Sequence, residues 1–140
     1  YEEVALCRSA WRLGWAVEYD PSLSAVHLRP LQNRPVTPAL RVITRSSKLL
    51  YFRKHLPRSQ LVGLSWAITG EAWMRGVVAR LMGRGEEVAA WDAIARIARD
   101  ARRDRWLDAA SVRALAAAIA SDEPRRPRRR PARRSRVASR

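Results

Sequence analysis

Three prolines, at positions 30, 35 and 38, divide this chain more firmly than any other feature of it. Proline fixes φ, lacks an amide proton and drives the preceding residue out of the helical region. No regular element therefore crosses residues 29–38, which also contain Asn33, and the stretch reads as a loop and a boundary. The sequence differs in kind on its two sides. From Ala39 onward the apolar spacing is helical, and it predicts helices over about 39–56, 58–82, 86–104 and 107–120. Pro57 ends the first of these and Gly83 and Gly85 the second, while Asp108 is placed to cap the last.

Before the boundary the pattern is mixed. Val4, Leu6, Cys7, Trp11 and Leu13 recur near helical spacing, so residues 2–13 read as a helix. Glu2 and Glu3 in its first turn and Arg8 and Arg12 later on suit the helix dipole. Gly14 is placed to stop it. Residues 15–19 (WAVEY) alternate and are rich in β-formers, Asp20-Pro21-Ser22 reads as a turn, and residues 23–28 (LSAVHL) read as a second short strand.

The chain has 140 residues, of which 47% are hydrophobic, enough to bury a core in one modest domain. Its net charge is +15, with Lys48 and Lys54 the only lysines among 28 basic residues. That balance favours polyanionic partners, either nucleic acid or an anionic membrane surface. Much of it lies in residues 124–140, which hold nine arginines, three prolines and no acid, a composition that predicts a disordered tail. Cys7, the single cysteine, excludes an intrachain disulfide and reads as a small buried hydrophobe. The N-terminal residues carry no secretory signal, and no apolar run approaches the roughly 20 residues of a spanning helix. The longest, 61–73, is interrupted by Gly63, Gly70 and Glu71. The chain begins at Tyr1, already at the edge of a helix, so it is expected to be cut from something longer.

The first 28 residues carry an ordered set of motifs. Tyr1-Glu2-Glu3-Val4-Ala5-Leu6-Cys7-Arg8 is followed by Gly14-Trp15, then Asp20-Pro21, then Val26-His27. This resembles the end of the catalytic domain in family 2, GT-A-type glycosyltransferases, especially the rhamnosyltransferase-like branch. Residues 45–55 (RSSKLLYFRKH) are similar to the basic helix that follows that domain. The resemblance implies a fold that is mostly α with a short β element. Residues 1–37 would be the last helix and two strands of a GT-A α/β catalytic domain. Residues 38–121 would be a helical extension, and 122–140 a disordered Arg-rich tail.

The resemblance also implies a reaction. Glycosyl transfer needs a carboxylate to take the proton from the acceptor hydroxyl as it attacks the anomeric carbon. Glu3 stands at the position of that base and Glu2 is its orienting partner. The family more often has Asp where Glu3 stands, and Ala5 replaces an acid common in its pattern. His27 stands where a histidine completes the site of a divalent cation, Mg²⁺ or Mn²⁺, which neutralises the leaving diphosphate. The other ligands would be the diphosphate and an Asp-x-Asp motif, which this chain lacks. A divalent cation is thus implied for the full-length enzyme and none for this chain alone. The implied donor is a nucleotide-sugar and the implied acceptor a glycan or lipid-linked glycan, in cell-envelope polysaccharide synthesis. The implied place is cytoplasmic, at the inner face of the plasma membrane. Without a donor site, the chain alone is expected to be inactive.

Two further stretches bear on partners. Lys48, Arg53, Lys54, His55 and Arg58 surround Leu49, Leu50, Tyr51 and Phe52, and Trp66 and Trp73 follow seven residues apart on one helical face. A basic helix followed by tryptophans suits an interfacial membrane contact. The commoner alternative is that the aromatics pack in a helical core, and burial of Trp66 and Trp73 would favour it. The Arg-rich tail suits anionic headgroups or nonspecific nucleic acid. A small basic helical nucleic-acid-binding protein is the alternative reading of the whole chain, although no readout motif supports it.

Overall fold

Several helix termini after the proline-rich loop have a local chemical cause. In the computed structural model, which describes residues 2–24 and 36–121, α1 spans Glu2–Arg12, α2 Pro38–His55, α3 Arg58–Leu81, α4 Gly85–Arg102 and α5 Ala109–Ser121. Thr37 caps α2, its hydroxyl accepting from the Leu40 amide at 3.2 Å, and Pro38 occupies the first turn, where no amide proton is needed. Pro57 separates α2 from α3. α3 closes on Gly83, whose φ of +67° lets the Arg84 amide reach back to the Ala79 carbonyl at 2.9 Å. α4 closes in the same way on Asp104 at φ +56°, a short polar residue that tolerates this conformation. Asp108 caps α5 by accepting from the Ser111 amide at 2.6 Å.

α2 to α5 share one core, and α4 lies at its centre, packed on α3, α2 and α5. Ala90, Trp91, Ala93, Ile94, Ile97, Ala98 and Ala101 of α4 are buried. They meet Leu61, Ile68, Ala72 and Ala79 of α3, Val42 and Leu49 of α2, and Ile119 of α5. The many alanines and Gly76 bring α3 and α4 close: a Cβ at Gly76 would lie 3.6 Å from Cβ of Trp91. Ion pairs stitch the edges. Arg45 of α2 grips Glu71 of α3 with contacts of 2.8–3.1 Å, and Arg80 of α3 meets Asp92 of α4 at 2.7 Å.

The expected β element is not formed. Among the described residues there is no strand. Residues 15–20 run without a ladder, Asp20 accepts from the Ser22 amide at 2.9 Å to hold the turn, and residues 23–24 are irregular. Residues 25–28, the rest of the second expected strand, lie outside the described residues, as do the proline-rich stretch 25–35 and the tail 122–140. Alternation of side chains is not enough for a strand, because each one needs a neighbouring backbone to exchange hydrogen bonds with. Residues 15–20 find none, and Trp15, Val17 and Tyr19 stay exposed. The end of a GT-A α/β domain is therefore not what these residues build. The described chain is all helical, a bundle of α2 to α5 with α1 at its periphery.

Candidate functional site

α1 ends on a glycine that sets the path of everything before the bundle. Gly14 adopts φ +83°, the Trp15 amide returns to the Ala10 carbonyl at 3.0 Å, and the Gly14 amide to the Trp11 carbonyl at 3.1 Å. Only glycine enters this left-handed position without strain. The chain turns back there and lays residues 16 and 17 beside the helix it has just left. A hydrogen bond among the described residues links this unit to the bundle. Arg8 Nη2 donates to the His55 carbonyl at 2.9 Å, at the last residue of α2. A guanidinium suits a helix C-terminus, where carbonyls lack internal partners. The Nε atom of Arg8 is buried with no hydrogen-bond partner.

The space between α1 and α2 is an open groove of about 790 Å³. Glu3, Val4, Cys7, Arg8 and Trp11 face it from α1, Ala16 and Val17 from the returning segment, and Tyr51 from α2. Positions 3, 7 and 11, with 4 and 8 beside them, share one helical face, which explains why α1 supplies most of the wall. The lining is mainly apolar, with one carboxylate and one guanidinium. The Tyr51 ring lies 4.8 Å from the His55 ring, tilted at 41° to it. Partial burial, then the charges of Lys54, Arg8 and Arg12, hold the His55 imidazole below its usual value. A hydroxylated ligand in this groove would meet an exposed carboxylate at Glu3, a cation at Arg8, and the aromatic faces of Trp11 and Tyr51.

The residues singled out in the sequence fare differently. Glu3 is exposed on the groove wall. Glu2 lies in the first turn of α1, with its side chain outside the described residues. His27 lies outside them entirely, so the geometry relating it to Glu3 is not described. Among the described residues no three His, Cys, Asp or Glu side chains come together to hold a metal ion. Cys7 is not buried as expected but exposed on the groove wall. Trp66 and Trp73 are 61% and 72% exposed, so they do not pack in the core. In the basic stretch, Leu49 is buried while Arg53 lies over the Trp106 ring at 4.6 Å. Tyr51 and the Arg8 anchor escape sequence reasoning, because a contact across 47 residues leaves no local signal.

Comparison of the chain with protein-family models, curated proteins and solved structures finds no match. Among the described residues no helix is long and apolar enough to cross a membrane.

Proposed function

We propose that this chain is the C-terminal part of a family 2 glycosyltransferase, with Glu3 as the carboxylate that activates the acceptor. The observation that carries the reading is the placing of Glu3 on a groove shared with Trp11, Arg8 and Tyr51. It adds a physical setting to the ordered motifs of residues 1–27. In the proposed step an acceptor hydroxyl lies within hydrogen-bond reach of Glu3. Its oxygen attacks the anomeric carbon of a nucleotide-sugar as the bond from that carbon to the diphosphate breaks. The electron pair leaves with the nucleoside diphosphate, and the hydroxyl proton passes to Glu3. Trp11 and Tyr51 offer flat apolar faces to the C–H side of a glycan, and Glu2 orients the first turn. The divalent cation that the resemblance implies for the full-length enzyme would neutralise the leaving diphosphate, while Glu3 takes the acceptor's proton.

The proposed setting is the cytoplasmic face of the plasma membrane, with a glycan or lipid-linked acceptor. A small basic nucleic-acid-binding protein would account for the charge but would leave the Glu3 groove without a task. In the full-length enzyme, Glu3→Gln should lower turnover by roughly 10²-fold or more while donor binding is kept. Sugar transfer from a labelled nucleotide-sugar, with donor binding measured by calorimetry, checks this. Turnover retained in Glu3→Gln would remove Glu3 as the base.

A further inference from the structure

α3 is apolar on two sides, and only one of them is used. Leu61, Ile68, Ala72 and Ala79 face the core. On the opposite side Trp66, Trp73, Val77 and Leu81 follow one another at intervals of seven, four and four residues, with Met74 beside them. Trp73 is 72% exposed and Leu81 83%. The stripe runs about 22 Å at 1.5 Å per residue. Gly63 and Gly70 lie along it, and a Cβ added to either would meet nothing, so neither glycine serves packing within the chain.

Arg80 shares this side, seven residues after Trp73, whereas Glu71 and Arg75 lie off it. Glu71, the one acid of the helix, is turned to Arg45 and Arg75. Arg80 is engaged by Asp92. At its N-terminal end the stripe runs into a cationic cluster instead. The Arg102 guanidinium lies over the Trp66 ring at 4.0 Å and donates to the Ser65 carbonyl and the Thr69 hydroxyl. Arg58 donates to the Arg102 carbonyl, and Arg99 and Arg103 sit close enough to depress the pKa of Arg102 further once burial has lowered it. Arg99, Arg102 and Arg103 fall three and four residues apart at the C-terminal end of α4, so they share one side of it, and like charges gathered there favour an external anion.

We infer that the outward face of α3 lies on an anionic membrane surface, with Trp73, Met74, Val77 and Leu81 inserted at the headgroup boundary and the Arg99, Arg102 and Arg103 cluster on the lipid phosphates. Tryptophan beside aliphatic and methionine side chains, without an acid among them, suits that zone. Charge decides between a bilayer and a second copy of the chain. Two copies face to face would bring together two chains of net charge +15, whereas an anionic leaflet attracts both cluster and chain. The surface shares no residue with the α1 groove, so it stands or falls apart from the glycosyltransferase reading.

Co-sedimentation of the 140-residue chain with vesicles tests the inference. Binding is expected to vesicles of equal parts phosphatidylcholine and phosphatidylglycerol, and not to phosphatidylcholine alone. Trp73→Ser with Leu81→Ser removes two exposed side chains and should leave the helical circular dichroism unchanged. It should reduce partitioning more than about tenfold. Arg99→Gln with Arg103→Gln should weaken binding and flatten its salt dependence. Unchanged binding in the Trp73/Leu81 variant would mean that basic segments such as 124–140 hold the lipid alone, and would overturn the inference. So would a chain that ignores the vesicles but forms a dimer that this variant dissociates.

Discussion

Glu71 shows how one side chain can be misread from its neighbours. In sequence it is only an acid that breaks an apolar run. In the structure it joins two helices, taking Arg45 from α2 and Arg75 from its own helix at 2.8 and 3.1 Å. Partial burial pushes its carboxyl up, but the hydrogen bonds and charge of Arg45, then Arg75, outweigh this and leave it below the ordinary value. A depressed folded-state pKa contributes stability that is present above the unfolded value of about 4.3 and is lost as pH falls through the folded one. Glu71→Gln should therefore cost about 1–2 kcal/mol near neutrality and less at lower pH, narrowing the gap to the parent in acid. Urea titrations at two pH values, one on each side of that window, check it. The tryptophans carry a related lesson. A seven-residue interval puts Trp66 and Trp73 on one face, but α3 is apolar on two sides, so the sequence does not tell which of them is covered.

At the scale of elements, what was legible was punctuation. Gly14, Gly83 and Asp108 each serve the helix terminus that their residue types suggested, because those positions answer to local backbone chemistry. The expected strands were not formed where residues are described, because a ladder depends on a partner that local alternation cannot report. The groove followed the same division. Glu3 was singled out by the resemblance of residues 1–8, whereas Tyr51 lines the same groove across a separation of 48 residues that leaves no local signal. Gly14→Ala places a Cβ at φ +83° and should cost about 1 kcal/mol. The loss should be confined to α1, seen as faster amide exchange at residues 13–15 with the thermal midpoint of the bundle kept. A fall in that midpoint would show that α1 unfolds together with α2 to α5.

The molecule as a whole is a helical bundle whose interior is filled largely by alanine and isoleucine on α4, with leucine and valine from α2 and α3. Ile94 is fully buried at the centre of that seam. Ile94→Ala should cost about 2–5 kcal/mol and lower the melting temperature by about 10 °C or more, read by circular dichroism at 222 nm. A shift of a degree or two would mean that the surrounding alanine-rich surfaces collapse to fill the space.

Trp91 differs from the other five indoles of the chain. It is 2% exposed, with Arg41 and Arg75 over its ring at 5.6 and 5.5 Å, while Trp11, Trp15, Trp66 and Trp73 face solvent and Trp106 is half-covered. Light emission from the native chain is thus dominated by indoles already in water, and unfolding changes the polarity around chiefly one of them. The protein carries its own optical gauge, fixed at the seam of α3 and α4 beside Gly76 and silent about the rest of the surface.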